Sequence, residues 1–63
     1  MKVMLKFKVS TGVVKKSNQL LINSNKLRGV FYNIGNKFVL TNSDDYDEAS
    51  EILARNFIKS TLI

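Results

Sequence analysis

The stretch "LRGVFYNIGNKFVLT", residues 27–41, predicts a β-hairpin, because a short turn signal separates two apolar runs in it. Gly35 and Asn36 lie between the runs, and glycine at the first position of a two-residue loop is typical of a type II′ hairpin turn. The turn sets the register of the hairpin. The predicted pairs are Phe31 with Leu40 and Tyr32 with Val39. Both faces of this hairpin are then apolar, with Val30, Tyr32 and Val39 on one face and Phe31, Phe38 and Leu40 on the other.

Another strand is predicted upstream, where "KVMLKFKV", residues 2–9, alternates strictly between two kinds of side chain. A period of two is typical of a half-buried strand. One face carries Val3, Leu5, Phe7 and Val9, and the other carries Lys2, Met4, Lys6 and Lys8. Residues 10–12, Ser-Thr-Gly, predict a turn after it.

The segment between these two features has a mixed pattern. We interpret residues 13–16 as a strand that pairs back onto the first one, and residues 19–22 as its continuation. Ser17 and Asn18 interrupt the run and suggest a bulge. The polar cluster at residues 23–26 predicts a turn before the hairpin.

The last segment, "SDDYDEASEILARNFIKSTLI", predicts a helix over about residues 44–60. Ser43, Asp44 and Asp45 all suit an N-cap, and Asp45 with Glu48 has the spacing of a capping box. At helical spacing the apolar stripe contains Tyr46, Ala49, Ile52, Leu53 and Phe57, and the opposite side carries Asp47, Glu48, Glu51, Arg55 and Lys59.

The fold class predicted from these elements is α+β, in a single domain covering residues 1–63. We expect a three- to four-stranded antiparallel β-meander, with its strands within residues 2–42. One C-terminal α-helix is expected to pack on one face of the sheet.

Composition excludes most catalytic chemistry. The chain has no His and no Cys, so it has neither disulfides nor the common nitrogen and sulfur zinc sites. No His is present to activate a Ser or Thr, and three glycines do not make a phosphate-binding loop. We therefore expect a protein that is not an enzyme, with no cofactor, no metal and no small-molecule substrate. The acids near residue 45 are expected to cap the helix and to compensate its dipole rather than to hold a hard cation.

No apolar run approaches the ~20 residues that span a bilayer, and the first residues lack the apolar core of a signal peptide. These features predict a cytoplasmic protein without membrane contact.

Charge is strongly segregated along the chain. Residues 1–43 contain eight Lys or Arg and no acid, a charge of +8, whereas residues 44–63 contain five acids and two cations, a charge of −3. A basic sheet surface can neutralise the phosphates of a nucleic acid. The residues predicted to bind nucleic acid, or an acidic partner, are Lys2, Lys6, Lys8, Lys15, Lys16, Lys26, Arg28 and Lys37. Two structural interpretations compete: the lysines protect an exposed edge strand from aggregation, or they lie on an ordinary solvated face.

A second functional hypothesis is a protein-interaction module. Ile58 and Leu62 are apolar residues on the charged side of the predicted helix, and a domain this small is often stabilised by a partner chain. We expect them to form the interface of a homodimer, or of another homo-oligomer. The abundance of Asn, Lys and Ile indicates AT-rich codons, so an accessory or inhibitor protein of a phage or other mobile element, docking on an acidic partner surface, is the alternative function.

Overall fold

The computed structural model describes residues 4–63. Its elements are strand β1 (Leu5–Lys8), helix α1 (Val14–Ser24), strands β2 (Phe31–Ile34) and β3 (Lys37–Leu40), helix α2 (Tyr46–Arg55) and strand β4 (Thr61–Leu62). Short 3₁₀ turns, Thr11–Val13 and Ser43–Asp45, lead into the two helices. The predicted places of Lys2 and Val3 lie outside the described residues.

The four strands form one antiparallel sheet in the order β2-β3-β1-β4. With the two helices, the chain order is β-α-β-β-α-β, the split βαβ arrangement. The predicted α+β class and antiparallel sheet are confirmed. The predicted meander with a single C-terminal helix is wrong, because α1 lies between β1 and β2 and because β4 follows α2.

The hairpin formed by β2 and β3 has the predicted register. Phe31 pairs with Leu40 and Tyr32 with Val39, as the two-residue turn requires. Gly35 has φ 61°, whereas Asn36 is not among the residues with positive φ, and this is the φ pattern of a type II′ turn.

The core lies between the sheet and the helices. The ring of Phe7 stacks on that of Phe38 at 5.3 Å between centroids and meets the Tyr46 ring edge-on at 5.8 Å. Both phenylalanines are fully buried, and Leu40 lies beside them in the same cluster. The predicted inward face of β1 is therefore confirmed for the described residues. Leu21, Ala49 and Leu53 from the helices complete this cluster, so both helices cover the same face of the sheet.

Residues 14–24 form a helix, and the strand predicted across this segment is wrong. The helix buries Ser17 and Leu21, which are four residues apart. Ser17 is accommodated because its hydroxyl donates to the carbonyl oxygen of Val13 at 2.7 Å. A polar residue thus occupies the centre of the buried stripe, which hid the helical period in the sequence.

Helix α2 begins later than predicted and uses a different cap. The side chain of Asn42 accepts a hydrogen bond from the backbone N–H of Asp44 at 3.0 Å and caps the 3₁₀ turn. Asp45 makes no side-chain cap, so the predicted capping box is not formed.

Helix α2 also ends earlier than predicted, in a Schellman motif. The N–H of Phe57 donates to the carbonyl of Ala54, and the N–H of Ile58 donates to that of Leu53. Phe57 adopts the left-handed conformation, with φ 61°, and its side chain is 99% exposed, so its predicted place in the apolar stripe is wrong. Ile58 is only 4% exposed and belongs to the core, and Leu62 lies in β4, so the prediction that both lie on the charged side of a helix is wrong.

Candidate nucleic-acid interface

The open face of the sheet is the face that neither helix covers. Strand alternation places on it the side chains between those of the core: Met4, Lys6 and Lys8 along β1, Lys37 and Val39 along β3, Tyr32 and Ile34 along β2, and Thr61 and Ile63 at β4. We use the name "open face" for this set. It brings together three of the predicted binding lysines from two strands.

Lys8 and Lys37 are direct cross-strand neighbours in the β1–β3 ladder. Their Cβ atoms are therefore about 5 Å apart, and like charges in this position disfavour folding by a fraction of a kcal/mol. Asn36 holds this pair in place, because its backbone carbonyl accepts from the N–H of Val9 at 3.0 Å and its side-chain amide donates to the Val9 carbonyl at 3.1 Å. The geometry keeps two positive charges side by side at the hairpin end of the sheet.

Lys6 lies one pair further along and combines charge with apolar surface. It is opposite Val39, which is in turn opposite Tyr32 on β2. Val39 is only 8% exposed although no helix covers it, so the stem of Lys6 and the ring of Tyr32 screen it from water. Tyr32 is itself 55% exposed, and its ring is accessible beside the lysines.

No acidic side chain lies on the open face. All five acids of the chain fall between residues 44 and 51, in the 3₁₀ turn and α2, and none lies on a strand. Within residues 4–63 the one ion pair joins Arg55 to Glu51 on the surface of α2. Lys6, Lys8 and Lys37 therefore have no carboxylate partner in this part of the chain.

The position of β1 in the sheet tests the interpretation that its lysines protect an exposed edge. Strand β1 is paired on both sides, with β3 and β4, and is not an edge strand. Protection of an exposed edge therefore does not explain Lys6 and Lys8.

A fourth lysine, Lys59, lies beside this surface, although the sequence predicted that it lies on a helix. Lys59 follows the end of α2 and lines a shallow hollow of about 390 Å³ together with Lys8 and Thr61. Its lining also includes hydroxyl and amide groups, from Ser10, Thr11 and Asn36. The early end of α2 at Arg55 turns the chain back toward β1, and residue spacing alone gave no signal of this.

Lys15 and Lys16 lie in the first turn of α1, in the helix layer, and both are exposed. Lys15 borders a hollow beside Gly35 and Asn36, so it lies at the hairpin end of the molecule. The structure does not place either lysine on the open face.

Lys26 and Arg28 have acidic surroundings, unlike the lysines of the open face. They border a hollow that is lined by all five acids. One of these acids has a structural role. The carboxylate of Asp45 is 3% exposed and accepts the backbone N–H groups of Arg28 and Gly29, each at 2.8 Å. The sequence predicted a helix cap at this position, whereas in the structure the carboxylate binds the backbone of the loop that precedes β2. No group of three or more acids in residues 4–63 is arranged to hold a metal ion.

No helix in the described part of the chain has the length and apolar character needed to cross a membrane. Comparison with known protein families, curated proteins and solved structures found no significant match.

Proposed function

We propose that the open face binds the phosphate backbone of a nucleic acid. The observation that carries this proposal is the cluster of Lys6, Lys8 and Lys37 on one uncovered sheet face, without an acid on any strand. Pairing Lys8 with Lys37 disfavours folding unless a shared anion neutralises both, and a phosphate group supplies that charge. Lys59 extends the same positive surface around the edge formed by β4.

The apolar part of the open face favours single strands over duplexes. Tyr32 presents an exposed ring on the edge strand β2, and Ile34 is exposed two residues further along the same face of that strand. Unpaired bases stack on such rings with about 1–3 kcal/mol each, whereas the bases of a duplex are already stacked on one another. A single strand therefore uses both the lysines and the tyrosine, and a duplex uses only the lysines.

Binding is tested with fluorescently labelled oligonucleotides, single-stranded and duplex, in about 50 mM salt, where electrostatic binding is strongest. The double variant Lys6→Glu with Lys8→Glu is expected to abolish binding. The variant Lys15→Glu with Lys16→Glu has the same net charge and serves as the control, and it is expected to retain most of the affinity. Tyr32→Ala should weaken single-strand binding roughly tenfold and leave duplex binding nearly unchanged.

Two results would contradict the proposal. One is the absence of any binding by the wild-type protein at this salt concentration. The other is an equal loss in both charge variants, because binding would then follow net charge and not the open face.

A further inference from the structure

Strand β2 forms one edge of the sheet, and within residues 4–63 no strand pairs with its outer side. The carbonyl of Val30 accepts from the N–H of Thr41 at 3.1 Å, so this residue faces β3. Because antiparallel bonding alternates along a strand, the backbone groups of Phe31 and Asn33 point outward from the sheet. The edge thus presents N–H and C=O groups that a further strand can pair with.

The β2 edge lacks the features that normally protect an edge strand. Proteins shield such edges with lysine, proline, a bulge or very short length. The opposite edge, β4, is two residues long, whereas β2 has four residues and no charged residue or proline. Its side chains on the open face are apolar, and Ile34 is 67% exposed.

Two stretches of the chain at this edge are free of charge, and the nearest lysine, Lys37, lies one strand further in, opposite Ile34. Residues 17–25 and 29–36 contain no Lys, Arg, Asp or Glu, although the chain carries fifteen charged residues. The first stretch belongs to α1 and the second to β2 and its turns, and they meet at a groove of about 340 Å³ between Ile22, Leu27 and Phe31. No charged side chain lines this groove.

We propose that the β2 edge binds a second copy of this chain, through antiparallel pairing of the two β2 strands. Two copies carry +5 each and repel one another over most of their surfaces. The uncharged edge is the surface on which they can meet without burying like charges. A twofold axis between antiparallel strands makes the edge complementary to itself, as a closed dimer requires.

The alternation of outward groups also fixes the register. When Phe31 of one copy pairs with Asn33 of the other, all of their outward N–H and C=O groups are used. Val30 of one copy then lies beside Ile34 of the other, and the two Tyr32 side chains are neighbours on the dyad. Both open faces lie on the same side of the joined sheet, which doubles the basic surface, although the dimer itself does not depend on nucleic-acid binding.

Sedimentation velocity over about 10 µM to 1 mM protein measures the association. The wild-type protein is expected to form a dimer. Val30→Lys with Ile34→Lys sets lysines of the two copies side by side and should make it monomeric. Met4→Lys with Ile63→Lys is the matched control, because it adds two lysines to exposed apolar positions on the same face, beside β1 and β4 and away from β2, and its dimer should persist.

An equimolar mixture of the Val30→Lys/Ile34→Lys protein with Val30→Glu/Ile34→Glu is expected to restore a dimer, since opposite charges then face each other. Circular dichroism checks that each variant is folded, and where a double variant is not, the single change at Ile34 to the same residue, Lys or Glu, replaces it. A wild-type protein that stays monomeric at about 1 mM overturns the proposal. So does a dimer that survives the edge lysines, or a mixture of opposite charges that remains monomeric.

Discussion

Replacing Asp45 by alanine should remove most of the stability of this domain. The buried carboxylate accepts the N–H groups of Arg28 and Gly29, each at 2.8 Å, from residues 17 and 16 positions earlier in the chain. Hydrogen bonds to a charged group contribute about 1.5–3 kcal/mol each, and alanine leaves both backbone donors without this partner. Because the two bonds share one carboxylate and are not additive, we expect a loss of about 3 kcal/mol.

That loss is large for a chain of this size, since domains below about 70 residues rarely exceed 3–5 kcal/mol of stability. Urea unfolding followed by circular dichroism measures it, with sucrose added to all samples where the variant is only partly folded. Asp45→Asn keeps one acceptor oxygen and should fall between the wild type and Asp45→Ala.

The matched control is Asp44→Ala, one residue earlier in the same 3₁₀ turn. Its side chain is exposed and makes no hydrogen bond in the described structure, so the change should stay within about 0.5 kcal/mol. The reasoning is refuted if Asp45→Ala costs less than about 1 kcal/mol, or if the two alanine variants are equally stable.

Four further substitutions test the backbone. Phe57→Gly should raise the free energy of unfolding by about 1 kcal/mol, because it relieves a left-handed conformation and loses no packing from a side chain that is 99% exposed. Gly29→Ala should lower it by about 1–3 kcal/mol, since the added Cβ would lie 2.8 Å from Oγ1 of Thr41, whereas Gly12→Ala meets nothing within 4 Å and should be neutral or slightly stabilising. Gly35→Val should cost about 1–2 kcal/mol, because a β-branched residue is strained at φ 61°. Urea unfolding measures all of these, and the opposite sign in any of them would contradict the backbone geometry assigned to that residue.

The hairpin was predictable from sequence because its determinants are local. Gly35 and Asn36 fix the turn, the turn fixes the register, and the register decides which side chains face the helices. The lysines of β1 were placed on the correct face for the same reason: strict alternation leaves only the choice of which face is buried, and Phe7 decides it.

Helix α1 was missed because its buried stripe depends on a contact that a pattern of apolar residues does not contain. Ser17 is fully buried, and only its bond to the Val13 carbonyl makes that position favourable. Two adjacent valines at its start also have strand propensity. Tertiary packing against α2 and the sheet outweighed these local preferences.

The end of α2 could not be predicted, because the residue at the turning point is a phenylalanine. A left-handed residue after a helix is usually glycine or asparagine. Phe57 therefore predicted a longer helix. On that longer helix Ile58, which is buried in the structure, was placed as an apolar residue on the charged side. The return of the chain to form β4, and with it the position of Lys59 beside Lys8, follows from this one conformation.

The salt dependence of single-strand binding tests whether the lysines of the open face neutralise phosphates. Four lysines, Lys6, Lys8, Lys37 and Lys59, each neutralising one phosphate, predict a slope of about −3 in a plot of log affinity against log salt concentration. Affinity should then fall about 50-fold between 50 and 200 mM salt, and Lys8→Gln with Lys37→Gln should reduce the slope to about −1.4. An affinity that does not change with salt, or a slope that the double variant leaves unchanged, would contradict binding at the open face.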